Sequence, residues 1–235
     1  MCDGGGTGMK LELVVDAKVV RRVMRRARRI SRAIERGLEP LRDGWTVDAY
    51  DPQELFEAFP RLWLREGFRL SAYHFCDGAN ANGFVFAIPE DRRLPEPPEE
   101  GFDFEHAPLP EWARADIGRF LEGDGSPLSY FQASIFTREL KEMGAIWHGC
   151  TWATHKVLTD ASDIAGKGWE WLEATPLEWL PTVWRDGGGR WRVSFHTHSG
   201  LGRERILGHS DIYTAGYHFE EDPTEIALGE GGYIF

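Results

Sequence analysis

Apolar residues first recur along the chain with a helical period. Val20, Val23, Ala27, Ile30 and Ile34 lie three or four apart, which puts them on one stripe of an α-helix. Asp16 stands where an N-cap belongs, and Gly37 stands where a helix ends. Ahead of that helix, Lys10 to Val15 fits either a short strand or its first turn. A second helix is expected after Asp51, with Pro52 at its first position and Leu55, Phe56, Phe59 and Leu62 on one side. Phe68 to Cys76 and Phe84 to Ile88 then read as strands flanking residues 77–83. Those seven residues are rich in Gly, Asn and Asp, so the pattern predicts a hairpin.

Residues 89–110 hold six of the 13 prolines and seven acids and read as a loop, which Phe102 and Phe104 can anchor. Two helices are expected at Pro110–Leu121 and Pro127–Met143. Beyond them the pattern turns to strands at Ala145–Leu158, Trp169–Glu173, Trp179–Arg185, Arg190–His198 and Ile212–Phe219, with a turn at residues 186–189. Helices, hairpin, helices, then strands is the order of an α+β fold. The expectation is an aromatic-rich antiparallel β-sheet of about six to eight strands, with N-terminal and central helices packed mainly on one face. No fixed-period repeat divides the chain, so residues 1–235 are expected to form one domain, with residues 1–9 a flexible tail.

Composition refines this picture in two ways. Aromatic residues make up 13%, and seven of the ten Trp fall between Trp147 and Trp191, where the densest core is expected. No apolar run approaches the ~18 residues of a membrane span, so no membrane role is expected. The opening residues have neither a basic nor an apolar signal region, and the three Cys are few, odd in number and far apart. Reduced thiols in a cytoplasmic protein are the expectation.

Charge changes the picture more. The net charge is −11, yet nine of the 27 basic residues and one of the 38 acids fall between Ala17 and Leu38. Three readings of this basic helix are open. Its apolar stripe docks on the core and its arginines lie along the acidic body. Or Arg21–Arg36 binds nucleic-acid phosphates. Or Val20, Ala27, Ile34 and Leu41, seven apart, pair with a second copy.

Candidate chemistry falls in four places. His74-Phe75-Cys76 and His148-Gly149-Cys150 each put His and Cys on one strand face. If the strands are neighbours, His74, Cys76, His148 and Cys150 form a zinc-type ligand set, set against the alternative of buried core residues. Cys150 with a later His also fits a thiol nucleophile. On Arg190–His198, Trp191, Val193 and Phe195 form the core face, which leaves Arg192, Ser194, His196 and His198 on the other. With Arg203 and Arg205 they make a candidate site for a polar or anionic small molecule. His196, His198, His209 and Asp211 are the catalytic candidates for a hydrolytic or metal-dependent enzyme. Gly200 to Arg205 fits an anion-binding loop or a plain connection. A ligand-binding or interaction protein leads these readings, ahead of an enzyme and of a nucleic-acid-associated protein. Neither substrate nor oligomeric state is legible.

Overall fold

The structure, a computed structural model, describes residues 10–38, 43–97, 107–147 and 150–232. The expected tail at residues 1–9, Phe102, Phe104, Leu41 and His148 lie outside them.

The main sheet has seven antiparallel strands: β1 (Lys10–Val14), β7 (His155–Val157), β8 (Glu170–Trp171), β9 (Thr182–Arg185), β10 (Trp191–Ser199), β11 (Arg203–Ala215) and β12 (His218–Gly231). They lie in the order β1-β9-β10-β11-β12-β8, and β7 shares with β9 the second edge of β10. Three strands, β2 (Gly44–Val47), β4 (Phe68–Asp77) and β5 (Asn80–Pro89), make a smaller antiparallel sheet, and β3 (Leu62–Leu64) pairs with β6 (Leu121–Gly123). The α+β reading and the strand number therefore hold.

Helix α1 (Ala17–Leu38) starts where Asp16 accepts a hydrogen bond from the Lys18 backbone N–H. Its stripe of Val20, Val23, Ala27, Ile30, Ile34 and Leu38 is buried. Each larger member contributes about 1.5–3 kcal/mol relative to exposure. That stripe is used up by the core, so self-pairing through Val20, Ala27 and Ile34 is excluded as a reading of the exposed face. Helix α2 (Pro127–Lys141), capped by Ser126, carries Phe131, Ile135, Phe136 and Leu140 into the same apolar cluster. That cluster runs from α1 through α2 to Val183, Val193 and Phe195 of the sheet.

Several local expectations change. Residues 110–121 form no α-helix, only a 3-10 turn at Ile117–Arg119. The helix expected after Asp51 is a 3-10 helix, Pro52–Ala58. The β4–β5 turn is tighter than residues 77–83, because Asp77 already pairs with Asn80. Gly83 serves the strand instead of the turn, since a Cβ there would collide with the Met143 carbonyl and the Tyr50 hydroxyl. Of the expected strand 145–158, the described residues include the strand His155–Val157 and an isolated bridge from Ile146 to Ala81. Burial extends beyond the Trp-rich stretch: Phe59, Phe131, Phe136 and Phe195 are fully buried, Trp152 and Trp179 are buried, and Trp147 and Trp171 are exposed.

Phe195 shows what the core face of β10 does. Its ring stacks on His209 at 4.6 Å and 12°, and lies edge-on to Phe131 and Trp152. Phe195→Ala is expected to cost about 3–5 kcal/mol in urea unfolding. His196→Ala, on the half-buried face, should cost less than half of that; equal losses would contradict the facing.

Candidate functional site

The register of β10 on β11 sets Phe195 opposite His209 and His196 opposite Gly208. His196 and His198 therefore face one side of the sheet, while His209 and Asp211 face the other with Phe195. The four catalytic candidates do not form one site. Trp179 lies 5.4 Å from the His196 ring, and Trp169 packs edge-on to His198 at 5.7 Å. Leu158, Ile164, Ile206 and Ala227 complete a small second core there. The polar groups of that row are engaged locally. Arg192 bonds Asp186, His198 meets Glu204 at 3.4 Å and Arg203 bonds Glu170, whereas Arg205, opposite Ser199 in the register, faces the other side and bonds Glu225. Ser194 is half-buried in the same row. A covered surface stands where an open polar cleft was expected, because residues 158–181 fold back over it.

The opposite face holds a polar network that the sequence reading did not assemble. Arg138 of α2 reaches Asp211 through two hydrogen bonds of 2.7 Å, and both side chains are buried. Its guanidinium lies over the rings of Phe195, Trp152 and Phe219. Burial opposes the charge, but the bonds and charge of Asp211, with Glu221 behind, push the Arg138 pKa above its ordinary value. The next residue, Glu139, accepts from the Trp152 indole N–H at 2.9 Å and faces Arg28 of α1 at 3.3 Å. Burial pushes the Glu139 carboxyl up, and the Arg28 charge pulls it back. Arg28 also donates to the Trp152 carbonyl. Beside this cluster, the Thr197 hydroxyl lies between His155 Nδ1 at 3.0 Å and His209 Nε2 at 2.8 Å. It donates to one nitrogen and accepts an N–H from the other. Burial, with the nearby Arg28 and Arg138 charges, pushes His155 down to about 4; burial and Arg138 push His209 down to about 2. The available signal was the adjacent charged pair Arg138-Glu139 on a helix that also carries Phe131, Ile135, Phe136 and Leu140.

A groove of about 610 Å³ opens next to this network, between α1, the β4–β5 turn and residues 145–147 and 150–154. Its walls include Arg28, Arg32, Ala81, Ile146, Trp147 and Thr154. The Glu142 carboxylate shapes one wall: it accepts backbone N–H bonds from Thr151, Trp152 and Ala153. Cys76 and Cys150 both line the groove. Strand alternation puts His74 beside Cys76, with Nδ1 3.5 Å from the thiol, but His74 Nε2 is already held 3.0 Å from the Gly144 carbonyl oxygen. Among the described residues, no cluster of three or more His, Cys, Asp or Glu is arranged to hold a metal ion. Burial, with Glu142 and Glu35 nearby, pushes the Cys150 thiol up to about 11, which is the reverse of an activated nucleophile.

The groove continues into a second cleft of about 830 Å³ along the outer face of α1, sharing Arg28, Arg32 and Glu35 with it. Lys18, Arg21, Arg22, Arg25, Arg29, Arg32 and Arg36 fall within an arc of roughly 100° of the helix, along about 27 Å of its length. All seven are exposed. Arg21 bonds the Thr159 hydroxyl, and Arg36 bonds the Arg32 carbonyl. Among the described residues, Arg22, Arg25, Arg26, Arg29 and Arg32 form no ion pair. Among the described residues, Arg28 is the arginine of α1 that pairs with an acid of the body, Glu139. No family model, curated protein or solved structure matches the chain. Fold and site together define an α+β protein with a buried ion-pair clamp and an arginine-faced helix. No helix among the described residues is long and apolar enough to cross a membrane.

The neutral imidazoles have a consequence for stability. The folded His155 and His209 values lie below the unfolded value near 6.5, so only the unfolded chain takes up protons there. Stability is therefore full above about pH 6.5 and falls as pH drops toward 4. The urea midpoint should decrease between pH 7 and 5, and His155→Gln should flatten that decrease. An unchanged slope in the variant would refute the assignment.

Proposed function

We propose that the protein binds the phosphate backbone of nucleic acid along the outer face of α1, as a cytoplasmic nucleic-acid-associated protein. The observation that carries this reading is a row of exposed arginines, on an acidic chain, most of which form no ion pair among the described residues. Neighbours at i+3 and i+4 stand about 5–6 Å apart, and each guanidinium offers a planar fork of donors to phosphate oxygens. The net charge of −11 does not cancel the row. The Debye length is about 8 Å at physiological salt, so a phosphate on this face is attracted mainly by nearby arginines.

The helix geometry favours nucleic acid over a lipid surface. A basic amphipathic helix enters a membrane with its apolar face, but that face of α1 is buried in the core. The free thiols Cys76 and Cys150 are consistent with a reducing compartment. The row Arg192, His196 and His198 is a weaker seat for the anionic ligand read from the sequence, because Trp169 and Trp179 cover it.

Binding to a labelled oligonucleotide, followed from about 50 to 200 mM salt, tests this directly. The affinity should fall linearly with salt on logarithmic axes. Replacing Arg25 and Arg29 together with Gln should weaken binding and lower the slope by about 0.7–0.9 for each phosphate that is no longer neutralised. Both side chains are exposed, so stability should change by less than ~1 kcal/mol. Absent binding at low salt, or binding only to anionic vesicles or an acidic peptide, would overturn the reading.

A further inference from the structure

We infer that the cleft between the end of α2, the 3-10 turn Ile117–Arg119 and the start of β12 binds a small uncharged molecule with an apolar ring and a hydroxyl, of the class of a phenol, whose hydroxyl is held by His218 and Thr137. This site lies apart from the arginine face of α1 and does not depend on the phosphate reading.

The cleft has a volume of about 390 Å³, which is that of a small-molecule site. Val85, Ile117, Leu140 and Phe219 give it apolar walls. Those walls are fixed on each side. The bridge between Ala87 and Arg114 ties the chain ahead of the turn to β5. Gly118 lets the turn press against β12, since a Cβ there would meet the His218 Cα at 3.1 Å and the Tyr217 carbonyl oxygen at 3.3 Å. Tyr217 is anchored in turn: its hydroxyl accepts from the Gly125 N–H and bonds the Ser129 hydroxyl.

Asp116 orients the imidazole. It stands at the N-cap position of the turn, yet its side chain does not cap it. Its carboxylate instead meets His218 Nδ1 at 3.0 Å and accepts from Arg119 Nε at 2.7 Å. A carboxylate only accepts, so Nδ1 carries the proton and Nε2 of the neutral ring keeps its lone pair. Among the described residues, Nε2 has no hydrogen-bond partner, and neither has the Thr137 hydroxyl. Both residues line the cleft. A ligand hydroxyl satisfies both, donating to Nε2 and accepting from Thr137. The charged groups of the cleft are matched already. Glu221 meets Lys141 at 2.5 Å and Arg138 at 3.3 Å, and Asp116 holds Arg119. Among the described residues, no lining cation is left for a phosphate or carboxylate, so the ligand is uncharged.

Calorimetric titration with p-cresol and with its methyl ether tests this. The ether keeps the ring and the oxygen but cannot donate to Nε2. p-Cresol should bind about five- to tenfold more tightly than the ether. His218→Ala should lower p-cresol to the level of the ether, whereas Thr137→Val, of nearly the same shape, should weaken both ligands severalfold. A second readout uses the unmodified protein. Its histidine nitrogen shifts in mildly alkaline buffer should show the Nδ1–H tautomer at His218, with Nε2 moving when p-cresol is added. Equal affinity for the two ligands, binding of neither, or a preference that survives in His218→Ala would overturn the site. An Nε2–H tautomer at His218 would overturn it as well.

Discussion

Arg138 meets Asp211 through two short hydrogen bonds where water does not reach, and three aromatic rings close around its guanidinium. Losing one partner of such a pair costs about 3–5 kcal/mol, because the other charge stays buried. The pair fixes α2 at one rotation over β10 and β11. Glu139 is thereby turned toward α1 and residues 150–154, where it holds the Trp152 indole and faces Arg28. Two adjacent residues of one helix thus tie the sheet to one side and the groove to the other. The polar interior around the pair continues from Ser134 to Tyr213, from Tyr213 to the Tyr130 carbonyl, and through Thr197 between two imidazoles.

The same arrangement divides α1 into an inner face with a settled role and an outer face without one. Its apolar stripe is consumed by the core, and Arg28 is drawn inward to Glu139 and the Trp152 carbonyl. The remaining arginines are left outside with like-charged neighbours. Nothing in the fold requires that accumulation, because a helix docked by one stripe tolerates any mixture of polar residues on the other. The concentration of positive charge on a chain of net charge −11 is therefore the feature that asks for a partner.

Much of the fold was legible because it follows periodicity. The α1 stripe, the cap at Asp16, the core face of β10 and the turn after Arg185 all carry their cause locally. The strand β12 was not legible. Glu220, Glu221, Asp222, Pro223 and Glu225 look like a loop, yet they form an edge, where acids and proline block further pairing. Residues 110–121 misled in the opposite way: an apolar pattern of helical spacing was overridden by the bridge between Ala87 and Arg114. The candidate site divided similarly. Alternation correctly separated His196 from Phe195, and the basic helix stood out in composition. Whether a polar strand face meets water depends on which distant segment covers it, and nothing in Arg192–His198 announces Trp169 and Trp179. The joining of Arg28, Glu139, Trp152 and Asp211 spans four elements, which spacing along the chain does not encode.

A double-mutant cycle on the buried pair measures the clamp most directly. Urea unfolding of Arg138→Met, Asp211→Leu and the combined variant gives the coupling between the two residues. If the pair fastens α2 to the sheet, each replacement alone should lose about 3–5 kcal/mol. The combined variant should then regain a large part of the summed loss, because no charge is left stranded, with a coupling well above ~1 kcal/mol. Losses that simply add would contradict the account and leave the orientation of α2 to its apolar packing alone.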